Sequence, residues 1–355
     1  MSQIRAIHQL LGKSTPGYSV SNYALALQDA LQQWDFHSII YASEVAPELG
    51  RRVQPLRKFR PRPNELLILH YVMANEVTAW LKQYPKQPLI LSYHNVTPPY
   101  FFTGIGGQYA QGAAQSQSEL KSFQAQTRLA LTFSHFSRQD LEIAGYTNIK
   151  TIPLLMPTTL QKLTPHPGVI SAVHTSPNLL FVGRIAPNKR CEDVIKILHQ
   201  YRQIEPAAHL YLVGPTHHTQ PYTDWLYDFV HQYDVEDAVT FTGYVSDTEL
   251  AAYYRQADIF IMMSEHEGFG IPLVEAMRFG LPVVAYKSTA VSETMGGAGI
   301  LIQQKRYDVI AALIQKIYSD TDLRQKIVQS QRKRIQAFAP EQVLSQLHAA
   351  LEDLL

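Results

Sequence analysis

The chain has 355 residues, 46% of them apolar and 17% charged, too many for one ordinary core and enough for two domains. Its formal charge of +1 excludes a whole-molecule electrostatic grip on nucleic acid, so any charged partner site must be local. The single cysteine, Cys191, excludes an internal disulfide framework and a thiolate metal cluster, and fits a reducing, cytoplasmic setting.

Residues 1–8 lead directly into an apolar strand without a signal-peptide core, and no apolar run approaches membrane-spanning length. The expectation is a cytoplasmic protein, soluble or peripherally attached. From there, short apolar runs alternate with helical stretches, the pattern of doubly wound parallel sheets. Strands are expected near 4–9, 38–42, 66–70, 89–93, 131–133 and 149–152, and again near 179–182, 210–213, 239–241, 259–262 and 283–285. Residues 153–177, with Pro157, Pro165, Pro167 and Gly168, interrupt both periodicities and read as an interdomain linker. The tail from 324 is helical in pattern, with a break at Pro340.

Along this frame, Pro16-Gly17-Tyr18 lies between the first strand and a helix. Arg51, Arg52, Arg57, Lys58, Arg60 and Arg62 crowd one short stretch. They read either as a solvated, mobile loop or as a contact for anionic lipid or a lipid-linked acceptor. His94 ends the strand near 89–93 and precedes an aromatic loop with Phe101, Phe102, Gly104, Gly106 and Gly107. In the second half, Gly183-Arg184 and Gly214-Pro215 each end a strand, at the carboxyl edge where open α/β sheets bind ligands. Tyr244 and Val245 precede a Ser246/Glu249 capping box and are read either as nucleotide-base contacts or as a turn packed on its own helix. Asp320-Thr321-Asp322 has the form of a metal motif, but it opens a helix whose dipole those aspartates stabilise.

The segment Glu267-Gly268-Phe269-Gly270-Ile271-Pro272-Leu273-Val274-Glu275 is the most informative. It follows the buried-strand pattern of Ile259-Phe260-Ile261-Met262, and Pro272 fits the first turn of a helix, where its missing N–H costs nothing. The glycines therefore sit at a strand-to-helix junction, where open backbone N–H groups can receive an anion or a sugar hydroxyl. Glu267 on the turn and Glu275 one helical turn in point into one crevice at different depths. Alone, such a pair reads as a helix cap and a solvated glutamate; the surroundings favour a site.

That segment resembles the E-x7-E signature of retaining GT-B glycosyltransferases of family 4. Phe181-Val182-Gly183-Arg184-Ile185-Ala186-Pro187-Asn188-Lys189 resembles the same family's other donor segment, in which an arginine and a lysine five residues later hold the donor diphosphate. The resemblance implies two Rossmann-like domains facing across a cleft: an acceptor-side domain, 1–165 with a returning helix at 340–355, and a nucleotide-sugar domain, 166–339. It implies transfer of a sugar from a UDP- or GDP-sugar to a hydroxyl acceptor with retention, in polysaccharide, cell-surface glycan or glycolipid synthesis. A sugar-nucleotide epimerase of similar fold or a silent nucleotide-sugar-binding subunit are the alternatives.

By the same resemblance, Arg184 and Lys189 stabilise the leaving diphosphate, with no essential metal. Glu267 contacts the donor sugar, and Glu275 holds the ribose. Gly268, Phe269, Gly270 and Ile271 seat phosphate or sugar by their backbone, and Gly214 lines the nucleotide pocket. His94 matches a position at which relatives place a histidine close to the transferred sugar, where it binds a donor hydroxyl or orders the acceptor. Gly17 covers the diphosphate or shapes the acceptor pocket, since Tyr18 stands where relatives often have a second glycine or an acidic residue.

Overall fold

The computed structural model describes residues 4–62, 64–105, 107–172, 177–216 and 219–354. Gly106, expected within the aromatic loop, lies outside them. Tertiary contacts gather the chain into two units, one of Met1–Tyr100, Gln108–Pro157 and Ala337–Leu355, the other of Phe101–Gly107 and Thr158–Gln336.

The first unit is built on seven described strands: β1 Ala6–Ser14, β2 Ile40–Val45, β3 Val53–Pro55, β4 Glu65–Tyr71, β5 Leu89–Tyr93, β6 Thr127–Thr132 and β7 Ile149–Thr151. They form a parallel sheet in the order β3-β2-β1-β4-β5-β6-β7. The second unit carries β8 Asn178–Val182, β9 His209–Val213, β10 Val239–Gly243, β11 Ile259–Met262, β12 Val283–Tyr286 and β13 Ile300–Ile302, also parallel, in the order β10-β9-β8-β11-β12-β13. Central strands of such sheets are covered on both faces, so they read as continuous apolar runs. Accordingly β8, β9 and β11 are buried at every position. Two parallel Rossmann-like sheets in one chain give the GT-B architecture expected from the sequence.

Strand order reverses between β1 and β4 in the first sheet and between β8 and β11 in the second. At such a switch point the loops after neighbouring strands diverge to opposite faces and leave a crevice at the carboxyl edge. The loop after β8 carries Arg184 and Lys189 and the loop after β11 carries Glu267, so residues 78 apart in sequence meet there.

Several expectations are corrected. The first strand begins later than expected and runs on through Gly12 and Lys13; a Cβ on Gly12 would stand 2.8 Å from the Asn75 amide nitrogen. The sequence pattern missed β3 and β13, three-residue edge strands. Pro55 belongs to β3, which is possible because an edge strand leaves one side of its backbone unpaired. The basic stretch, expected as a loop, thus carries regular structure, β3 and the 3-10 turn Leu56–Lys58, with its cations exposed. Phe59 at its centre is buried against Tyr41 and Trp80, and Arg52 pairs with Asp29 and donates to Gln28 Oε1 at 2.8 Å, both on the helix Ser19–Gln33.

The expected linker is also more ordered than its prolines suggest. From Thr158 the chain packs with the second unit, where Arg255 donates to the carbonyls of Gln161 and Leu163 at 2.6 and 2.9 Å. The last helix, Pro340–Glu352, buries Val343, Leu347, Ala350 and Leu351 and groups with the first unit. No described helix is long and apolar enough to cross a membrane.

Candidate functional site

The second unit brings together most of the residues singled out in the sequence. After β8 the chain passes through Gly183 and the half-buried Arg184 into the short 3-10 turn Pro187–Lys189. Among the described residues the Arg184 guanidinium makes no hydrogen bond or ion pair. Arg190 then takes a left-handed conformation, φ 54°, and turns the chain into the helix Cys191–Arg202.

Lys189 reaches across to the loop after β11, where its ammonium lies 2.6 Å from Glu267 Oε2. Both side chains are largely covered, 19% exposed for the lysine and 7% for the glutamate. The other carboxylate oxygen, Glu267 Oε1, is buried and has no hydrogen-bond partner among the described residues. A buried carboxylate oxygen without a partner is costly, and a ligand hydroxyl is a group that relieves it.

The Glu267 turn is pinned by side chains that sequence reasoning missed. Thr289 Oγ1 accepts from Glu267 N at 2.9 Å and donates to Glu267 O at 3.0 Å. Thr289 itself stands at φ 30°, a costly conformation for a β-branched residue and one that needs such bonds to persist. Ser288 donates to Ser264 O at 2.6 Å, Thr294 donates to Phe269 O, and Asn188 Nδ2 donates to His266 O at 3.0 Å. The only prior signal for these residues is their place just after β12 or beside Lys189; nothing in local periodicity marks them.

Gly270 caps the helix Ile271–Phe279 at φ 90°, with Pro272 in the first turn as expected. Glu275, in that helix, accepts from Tyr254 Oη at 2.8 Å. Burial raises its pKa, the Tyr254 bond and nearby Arg278 oppose the rise, and the Asp247 carboxylate adds to it. Tyr254 belongs to the helix Asp247–Gln256, so its bond ties Glu275 to the helix that follows Tyr244 and Val245. Tyr244 is exposed and Val245 half-buried, while Ser246 and Glu249 form the reciprocal cap read from the sequence. The two glutamates thus have separate partners, Lys189 for one and Tyr254 for the other.

Gly214 has a structural reason to be glycine. Its φ is 148°, and a Cβ there would lie 2.0 Å from Gly183 O, so the chain leaves β8 and β9 at a separation no side chain permits. Asp320 likewise acts as a cap: its Oδ1 accepts from Leu323 N at 2.9 Å and its Oδ2 pairs with Lys316 at 2.8 Å.

His94 and Gly17 stand in the first unit. Gly17 lies at φ 71° in the turn after β1. His94, just past β5, is half-buried with Nε2 3.1 Å from His70 Nδ1, and burial together with His70 holds its pKa well below the usual histidine value. Of the expected aromatic loop, Phe101–Gly107 groups with the second unit, where the Phe101 and His266 rings lie 5.9 Å apart. Burial lowers the His266 pKa to about 4, so that ring is neutral beside Glu267.

Residues 167–334 match the family model described as Glycosyl transferases group 1. The chain is 26% identical over 253 residues to the D-inositol 3-phosphate glycosyltransferase of Kineococcus radiotolerans, covering 67% of this chain and 58% of that protein. It is 30% identical over 159 residues to a glycogen synthase of Mycobacterium tuberculosis, covering 44% and 37%. It thus spans roughly a third to three fifths of the length of these curated relatives. Among solved structures, Anabaena HepE in complex with UDP and glucose superposes with a TM-score of 0.78 at 20% identity, over 98% of this chain and all of that one. The sucrose-phosphate synthase of Thermosynechococcus elongatus superposes with 0.76 at 21% identity, over 99% of each chain.

Proposed function

We propose that the chain is a retaining glycosyltransferase that moves a sugar from a nucleoside-diphosphate donor to a hydroxyl acceptor. The observation that carries the reading is the Lys189–Glu267 pair at the β8/β11 switch point, with a buried, unpartnered Glu267 Oε1 and an Arg184 guanidinium with no internal partner among the described residues. A cation without an internal partner suits an anionic ligand, and a bare carboxylate oxygen suits a hydroxyl. A nucleotide sugar has both groups.

In this reading the bond between the sugar C1 and the leaving phosphate oxygen breaks, and a bond from C1 to the acceptor oxygen forms on the same face. The acceptor proton passes to the leaving diphosphate. Arg184 and Lys189 stabilise the charge that develops there, the main electrostatic demand of the step and one that these cations meet without an essential metal. Glu267 Oε1 accepts a donor-sugar hydroxyl and steadies positive charge at C1, while its other oxygen keeps Lys189 oriented. Glu275 takes the ribose hydroxyls, and Tyr244 and Val245 flank the base. The backbone of 268–271 at the helix start seats phosphate; His94 takes a donor hydroxyl or orders the acceptor, and Gly17 covers the diphosphate or shapes the acceptor pocket. Polysaccharide, surface-glycan or glycolipid synthesis at the cytoplasmic face is the proposed setting. Exposed Arg51, Arg57, Arg60 and Arg62 offer it a contact for anionic lipid.

The test is release of nucleoside diphosphate from a panel of UDP- and GDP-sugars with hydroxyl acceptors, run with and without EDTA, the product anomer being read by NMR. Turnover of one donor, unchanged by EDTA and with retained configuration, is expected. Inverted product or loss of turnover in EDTA overturns the mechanism; product that remains a nucleotide sugar points to epimerisation instead.

A further inference from the structure

A string of buried polar side chains crosses the first sheet from β1 to the end of β5. Gln9 and His70 are 0% and 2% exposed, whereas His94 is half-buried, so the string begins in the core and ends at the carboxyl edge. Gln9 Nε2 lies 3.0 Å from Ala24 O. A carbonyl oxygen only accepts, which fixes the Gln9 amide with its nitrogen toward Ala24 and its own oxygen toward His70. Gln9 Oε1 stands 2.8 Å from His70 Nε2 and must accept there, so His70 carries its hydrogen on Nε2.

Burial lowers the His70 pKa to about 3, so the ring is neutral and has one N–H. His70 Nδ1 is then a bare lone pair, and it faces His94 Nε2 at 3.1 Å. That nitrogen must be the donor. Ser92 Oγ, 3.4 Å from the same nitrogen, adds a second acceptor on that side. Tyr23 packs edge-on at 5.5 Å and Phe133 lies at 4.9 Å, so aromatic rings flank the imidazole. His94 Nδ1 is left as an acceptor with no partner among the described residues.

We propose that Gln9 and His70 are positioning residues that lock His94 in its Nε2–H tautomer, so that His94 presents a bare Nδ1 that takes a hydroxyl and turns away phosphate and carboxylate oxygens. The proposal rests on the glycosyltransferase reading for the source of that hydroxyl, which is a sugar. It assigns His94 to selection by hydrogen-bond polarity: a ring with Nδ1–H would favour the donor's diphosphate oxygens instead.

The test begins with the wild-type chain labelled with 15N-histidine. Long-range 1H–15N correlation at neutral pH should show His70 and His94 both protonated at Nε2 and bare at Nδ1; Nδ1 protonation of His94 overturns the proposal, whatever the enzyme does. His70→Leu removes the lone pair that His94 faces, and His94 should become a mixture of tautomers. Its kcat/KM for the nucleotide sugar should fall roughly fivefold to tenfold, the worth of one neutral hydrogen bond, while affinity for the nucleoside diphosphate alone stays unchanged. His70→Gln, whose amide oxygen can accept from His94, should restore both the tautomer and most of the activity. Equal loss in His70→Leu and His70→Gln, with His94 still Nε2–H in both, refutes the positioning role. A wild-type chain that binds no nucleoside diphosphate defeats the glycosyltransferase reading and leaves the tautomer result standing.

Discussion

Replacing Lys189 by methionine keeps the length of the side chain and removes its charge, leaving Glu267 covered and unpaired. Breaking a buried pair from one side costs about 3–5 kcal/mol, and the 19% exposure of the lysine points to the lower end. The stranded carboxylate has an escape, since it can take up a proton. For an ordinary glutamic acid that costs at most about 4 kcal/mol at pH 7 and about 1 kcal/mol at pH 5. Lys189→Met should therefore lose about 3 kcal/mol at pH 7 and no more than about 1 kcal/mol at pH 5. The sign follows because the folded variant binds a proton that the unfolded chain gives up, so acid stabilises it relative to wild type. In scanning calorimetry the transition containing the second unit should drop by roughly 6–12 °C at pH 7, and far less at pH 5. The double variant Lys189→Met/Glu267→Gln should recover most of the loss and show little pH dependence relative to wild type. Equal losses at both pH values, or a double variant no more stable than the single, would refute the account of the pair.

Three further outcomes follow from the same geometry. Arg184→Ala should weaken nucleoside-diphosphate binding roughly tenfold or more, the worth of a charge-assisted hydrogen bond, yet leave Tm unchanged because the guanidinium supports nothing internal among the described residues. Titration calorimetry and a melt on the same sample check both halves. At Glu275 the alanine variant strands the fully buried Tyr254 hydroxyl and should lose about 1–3 kcal/mol of stability. Glu275→Gln keeps an acceptor for Tyr254, should melt near wild type, and should still bind UDP or GDP more weakly; unchanged affinity would contradict the ribose role. Gly214→Ala should fail to fold or melt far below wild type, since its Cβ falls 2.0 Å from Gly183 O; a melt within a degree or two of wild type would mean the strand ends do not approach as closely as described.

The parts of this molecule that announce themselves in sequence are those fixed by local rules. The run Ile259-Phe260-Ile261-Met262 is a strand because a central parallel strand needs apolar groups on both faces. Pro272 stands in a helix's first turn because only there is its missing N–H harmless. Ser246 and Glu249 cap a helix because their spacing closes two hydrogen bonds. What stayed hidden is long-range. Nothing local ties Tyr254 to Glu275, Thr289 to Glu267 or Thr294 to Phe269, since each bond joins residues 21 to 25 apart across different elements. The Lys189 pairing is hidden in the same way. A lysine expected to wait for phosphate is already engaged by Glu267, so its removal perturbs the fold as well as any chemistry. The basic stretch hid its structure for a different reason: its charges mask a buried Phe59 and the edge strand β3.

The central claim is that the crevice at the β8/β11 switch point receives a nucleoside diphosphate and its sugar. Calorimetric titration of UDP, GDP and their glucose and mannose derivatives into the whole chain and into Arg184→Ala tests it most directly. Saturable binding of one diphosphate with one site per chain, tighter with one of its sugars and at least tenfold weaker in the variant, is the predicted result. A folded chain that binds none of them, or binds one equally well without Arg184, would contradict the claim.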